Sequence, residues 1–238
     1  MASHTFQAYD EELKFLATRI AAMGGHAERL VEEAVSALVN SNETLAQAVI
    51  RNDVVLDEAQ REIDDKAILI IARRQPMAID LREIIGAIRI SADLERVGDL
   101  GKNIAKRVAA AGQARQPARL FRGIEALAEL ALAQLKEVLD AYGSRSVERI
   151  PAVRDRDEEI DAKYTSLFRE LLTYMMEDPR NITACTHLLF CAKNIERIGD
   201  HATNIAETVH YIVTGSQLPV ERPKEDESHK VVVARRGD

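Results

Sequence analysis

Apolar residues recur every three or four positions along most of the chain, in long stretches cut by short polar breaks. This spacing predicts helices over roughly 6–39, 44–72 and 77–110, and again over 119–142, 146–177 and 180–213. The breaks carry turn chemistry: Asn40-Ser41-Asn42, Gln75-Pro76, Gly112 to Pro117, Gly143-Ser144 and Asp178-Pro179. After Gly215 the chain becomes polar and Pro-containing, which reads as a loose tail over 214–238. Six Pro and 11 Gly are too few for the many turns of a β-protein.

The second set of three helices repeats the first. Glu95-Arg96-Val97-Gly98-Asp99 and Asn103-Ile104-Ala105 return as Glu196-Arg197-Ile198-Gly199-Asp200 and Asn204-Ile205-Ala206, at a constant offset of 101. Between 95–108 and 196–209, eight of 14 positions are identical. Such duplication means two copies of one structural unit. The expected fold is all-α, with two tandem three-helix bundles: residues 1–111, a linker over 112–118, residues 119–213, and the tail. Joined only by Gly112 to Pro117, the bundles are expected to act separately.

Four acidic pairs have i, i+4 spacing: Asp53/Asp57 and Glu95/Asp99, then Asp157/Asp161 and Glu196/Asp200. Residues four apart share a helix face, where like charges destabilise the helix. One such pair is unremarkable, but two per copy ask for a counter-charge. In an antiparallel hairpin, residues equidistant from the turn lie level. Asp57 and Glu95, and likewise Asp53 and Asp99, are equidistant from Pro76. Asp161 and Glu196, and Asp157 and Asp200, are equidistant from the Asp178–Pro179 bond. Each hairpin therefore brings four carboxylates to one height, a metal site in outline.

The helical wheel agrees: Leu81, Ile84, Ile85, Ile88 and Ala92 form a stripe that continues into Glu95, Asp99 and Asn103. Ile182, Cys185 and Leu189 lead in the same way into Glu196, Asp200 and Asn204. Carboxylates facing a neighbouring helix must protonate, meet Lys or Arg, or share a cation. Gly98 and Gly199, each one residue before the Asp, cost a helix about 1 kcal/mol relative to Ala. They imply close approach by a bulky ligand, a backbone or a crossing helix.

Carboxylate oxygens with amide support from Asn103 and Asn204 suit Mg, Ca, Mn or iron better than thiolate-loving metals. Glu207 and His210 make a lone Glu-x-x-His, an accessory candidate whose first-copy counterparts are Lys106 and Ala109. His26 and His201 read as packed or exposed residues rather than ligands. The formal charge of −7 argues against nucleic acid as the main partner. The longest apolar run is six residues, Ala67 to Ala72, too short for a membrane span. No secretory signal pattern opens the chain. Cys185 and Cys191 point in different directions on one helix and read as reduced cytoplasmic thiols.

These motifs resemble those of the PhoU family, phosphate-uptake regulators associated with bacterial phosphate transporters. The pattern stands here as Asp53-x-x-x-Asp57, Gln75-Pro-x-Ala-x-Asp-Leu-Arg82, Leu94-Glu-Arg-x-Gly-Asp99 and Asn103-Ile-Ala105. The second half gives Asp157-x-x-x-Asp161, Asn194-Ile-Glu-Arg-Ile-Gly-Asp200 and Asn204-Ile-Ala206, without the Gln-Pro and Asp-Leu-Arg elements. The resemblance implies two similar bundles bearing multinuclear clusters of iron or zinc on these motifs. It implies a non-catalytic negative regulator that keeps phosphate-starvation genes off when phosphate is plentiful. The implied partners are a sensor histidine kinase and the transporter's ATPase subunit, at the inner face of the membrane. A homodimer is compatible with it. If phosphate binds directly, Arg73, Arg74 and Arg82 are the first places to look.

Two other classes compete. A carboxylate-bridged di-iron enzyme takes a Glu-x-x-His from each of two helices, and this chain has one. No Ser/His/Asp set, phosphate-binding Gly loop or Cys nucleophile context accompanies it. The third reading is a structural helical protein whose acidic faces bind nothing.

Overall fold

Helices account for nearly all of the residues, 2–112 and 118–218, that the computed structural model describes. The first half holds α1 (Ala2–Val39), α2 (Glu43–Asn52), α3 (Val54–Arg74), α4 (Ile79–Ala105) and the short α5 (Val108–Gly112). The second holds α6 (Ala118–Ser144), α7 (Ile150–Glu177) and α8 (Ile182–Thr214). No strand occurs among the described residues. The expected all-α repeat stands, with two first-half helices interrupted: α2–α3 at Asp53, and α4–α5 at Lys106 and Arg107. The central residues of the expected linker, 113–117, and the tail from 219 onward lie outside the described residues.

Local chemistry sets the ends. Asn42 caps α2, its side chain accepting from the Leu45 N–H at 3.0 Å. At the α2–α3 break His26 of α1 reaches the Asn52 carbonyl at 3.3 Å, so this histidine serves the break. Gln75 closes α3 in the left-handed region, φ 50°. Pro151 lies in the first turn of α7, where its missing N–H is harmless, and α7 therefore begins at Ile150 rather than at the predicted 146. Gly215, φ 76°, ends α8 with its N–H on the Tyr211 carbonyl at 2.9 Å.

A single core runs through both halves, from Ile20, Ile63, Ile84 and Leu94 to Leu127, Leu135, Leu188 and Ile205. The linker is therefore not the only join between the two bundles. α4 and α8 lie side by side at the centre and α1 meets α6, because each three-helix unit carries more apolar surface than its own helices cover. Polar locks line this seam. Arg145 forms a two-point ion pair with Glu83, and His201 Nδ1 lies 2.8 Å from Asp93 Oδ1. Arg107 stacks over the Phe190 ring at 4.1 Å.

The buried stripe of α4 is Ile84, Ala87, Ile90, Leu94, Val97 and Gly101. Leu81, taken from the sequence as its start, is 38% exposed. Ile85, Ile88, Ala92, Glu95 and Asp99 are half-buried. One position is about 100° on a helix, so the predicted stripe is the flank of the true one. Glu95 and Asp99 consequently stand at the margin of the core. Cys185 and Cys191 are buried free thiols. No helix among the described residues is long and apolar enough to cross a membrane.

Candidate functional site

In the first half, Asp53 sits at the α2–α3 break, 4% exposed. Its Oδ1 and Leu56 Cδ1 lie over Gly98 of α4, where a Cβ would stand 3.2 Å from the oxygen and collide with the leucine. The close approach inferred at Gly98 is thus made by side chains of the facing helix. Lys102, three residues after Asp99, places its ammonium between the two aspartates: it donates to Asp53 Oδ2 and, at 2.7 Å, to Asp99 Oδ1. Burial acts to raise the Asp99 pKa, but the Lys102 bond and charge outweigh it and hold the carboxyl below its usual range. Arg96 flanks the face, 3.4 Å from Glu95 and 3.3 Å from Asp99. Glu95 is pushed up by burial first, then by Asp99 and Asp57. All four predicted residues of this half are therefore neighbours.

The second half repeats the level arrangement with different chemistry. Asp157 Oδ1 lies over Gly199, and Glu196 feels both Asp200 and Asp161. The counterpart of Lys102 at the offset of 101 is Thr203. Its Oγ1 is 3.1 Å from Asp157 Oδ1 and 3.1 Å from the Gly199 carbonyl. Gln134, fully buried on α6, sends Nε2 to the Val153 carbonyl at 2.8 Å, Thr203 Oγ1 at 3.2 Å and Asp157 Oδ1 at 3.4 Å. Its Oε1 is buried with no hydrogen-bond donor. Glu196 is 4% exposed; one oxygen is 2.8 Å from Lys193 Nζ, while Oε2 is buried without a donor. Burial, with Asp200 and Asp161 adding and Lys193 opposing, pushes Glu196 up to about 7.

The accessory candidates fare differently. Asn103 is exposed on α4. Asn204 turns to the seam, its Nδ2 3.4 Å from Asp93 Oδ1. Glu207 lines a cleft with Glu95 and Arg89, whereas His210 lines another with Asp157 and binds the Ser216 carbonyl at 3.0 Å. Two of the three arginines considered for phosphate have contacts of their own. Arg74 pairs with Glu12 at 3.0 Å, and Arg82 lies against Gly215.

Among the described residues, no three or more His, Cys, Asp and Glu side chains form a set that could hold a metal ion as they stand. Like charges brought level have no cause to converge without a cation. In donor chemistry the second half suits a hard cation, because it carries two buried oxygens without donors. The first half suits one less, since Lys102 already supplies positive charge to Asp53 and Asp99.

A family model described as the PhoU domain matches residues 20–108 and again 124–209. The chain belongs to the PhoU family. Each matched stretch contains one level carboxylate quartet. A PhoU homologue of Rhizobium meliloti, a phosphate-specific transport system accessory protein, is 68% identical over 224 residues, 94% of either chain. A Caulobacter vibrioides PhoU homologue is 51% identical over 95% of this chain and 98% of its own. The crystal structure of PhoU from Pseudomonas aeruginosa superposes with a TM-score of 0.81 at 37% identity, covering 87% of this chain and 100% of that one. The Streptococcus pneumoniae regulatory protein PhoU gives the same TM-score of 0.81 at 26% identity, over 89% of this chain.

Proposed function

We propose that this chain is a regulatory accessory protein of a phosphate transport system and a negative regulator of phosphate-starvation signalling. It acts without catalysis, as a metal-binding adaptor between the transporter's ATPase subunit and a sensor histidine kinase. Its place is the cytoplasm, at the inner membrane face through those partners. The observation carrying this reading is the end-to-end likeness to the Rhizobium meliloti accessory protein, 68% identical across 94% of both chains.

The acidic faces supply the chemistry. Asp53, Asp57, Glu95 and Asp99, with Asp157, Asp161, Glu196 and Asp200, would hold hard cations: iron or zinc in a multinuclear cluster, or Mg or Mn. A bound cation supplies positive charge and ties the two helices of each hairpin together. The protein's own part is to bring the carboxylates level and to shield them from water, since charge attraction is stronger away from water. Such a face can set hairpin geometry, and hence partner affinity, by cation occupancy.

The test is recovery of partners from membranes on immobilised protein, before and after chelation. The expected result is capture of the ATPase subunit and the kinase, weakened by chelation. Capture of neither from membranes known to contain both would overturn the adaptor reading.

A further inference from the structure

We propose that the two acidic faces are unequal: Lys102 serves as a resident cation of the first, so the second, where Thr203 stands in its place, is the primary site for a divalent ion. This rests on the metal-binding reading above and says which residues decide where the ion goes.

The comparison is controlled by the repeat itself. Asp53 and Asp157 occupy the same place, each over a helix glycine preceding an aspartate. Against Asp53 the fold sets an ammonium, shared with Asp99. Against Asp157 it sets only neutral donors, the Thr203 hydroxyl and the Gln134 amide. A charged partner compensates a buried carboxylate far better than a neutral one. An ion entering the first face must displace or sit beside Lys102, whose side chain is itself largely buried.

An independent observation points the same way. Glu196 Oε2 and Gln134 Oε1 are buried acceptors without donors, and both line the second hairpin. No carboxylate oxygen of the first quartet is in that condition. Orphaned buried acceptors are costly, and a cation relieves them. The second face does have a lysine, Lys193, but it lies at the other end, on Glu196 Oε1, and is 41% exposed. Its first-half counterpart is Ala92, so the lysine has changed ends between the copies. That lysine also lies 5.1 Å over the Tyr164 ring, and an ion pair from a partly exposed side chain is weak. Gln134 has a positioning role, since through Thr203 and Asp157 it fixes the aspartate that the ion must meet.

The test is Mn²⁺ binding to the full chain, followed by loss of the free-ion paramagnetic resonance signal, for wild type and three variants. Asp157→Asn should weaken the tighter class of Mn²⁺ binding by about tenfold or more, while Asp53→Asn weakens only the looser class. Lys102→Thr, which gives the first face the residue of the second, should add a further class of bound Mn²⁺. Circular dichroism of each variant establishes that it is folded, and the two isosteric Asn variants carry the test if Lys102→Thr is not. Equal weakening by Asp53→Asn and Asp157→Asn would overturn the inequality and leave the metal-binding reading standing. No binding of Mn²⁺, Fe²⁺ or Zn²⁺ by wild type would overturn both.

Discussion

Replacing Glu196 by Gln should stabilise the metal-free protein above neutral pH and leave it unchanged in acid. A carboxyl that ionises at 4.5 in the unfolded chain and only at about 7 in the folded one holds its proton more tightly in the native state. The stability linked to it is therefore greatest below 4.5, is lost as pH rises toward 7, and is flat beyond. At about 1.4 kcal/mol per pH unit, the native protein forfeits roughly 3 kcal/mol across that window. Gln keeps the shape and cannot ionise. Losing the Lys193 pair costs little, because that lysine is 41% exposed. The assay is urea unfolding of chelated wild type and Glu196→Gln in steps from about pH 4 to about pH 8, where the difference between the two proteins cancels the titrating groups remote from Glu196. The variant's advantage should grow from near zero to roughly 3 kcal/mol, or about 6–12 °C in Tm for a chain of this size. A difference that does not change with pH would refute the view that burial and the neighbouring aspartates govern this carboxyl.

Two glycines on helices should respond oppositely to Ala. Gly98→Ala pushes into packed Leu56 and Asp53 and should cost about 1–3 kcal/mol, whereas Gly25→Ala meets only Arg29 at 3.9 Å and should gain about 0.5–1 kcal/mol, both read by urea denaturation. Both thiols should be inert to a disulfide reagent in the native protein and react fully in denaturant, because both are buried and burial pushes Cys191 up to about 12; rapid native labelling would contradict this. Because one core spans both halves, calorimetry should show a single transition with matching calorimetric and van't Hoff enthalpies; two resolved transitions would mean that the seam is weak.

The helices, their order and the duplication were legible because periodicity and turn residues are local signals. So was the level placement of the carboxylates, since the distance of Asp53 and Asp99 from Pro76 follows from chain counting alone. The breaks at Asp53 and Lys106 were not, because neither carries Gly or Pro; the first depends on His26, which is remote in sequence. Lys102 had a signal, its i, i+3 place relative to Asp99, but a long flexible side chain can turn either way. Gln134 also had one. It is a polar residue seven positions after Leu127 in the apolar stripe of α6, where a buried amide must find partners. The α4–α8 seam, with Asp93–His201 and Glu83–Arg145, had none, since the register of helices from different copies is fixed only by tertiary packing.

The central claim, a regulator that works through its acidic faces, is tested most directly in a bacterium whose own homologue is deleted, such as Rhizobium meliloti, whose homologue is 68% identical. A reporter driven by a phosphate-starvation promoter is measured in phosphate-rich medium. Wild-type protein should restore repression, and a folded Asp157→Asn, Glu196→Gln double variant at equal abundance should not. Full repression by the double variant would contradict the account, because the second carboxylate face would then be dispensable to the regulation it is proposed to serve.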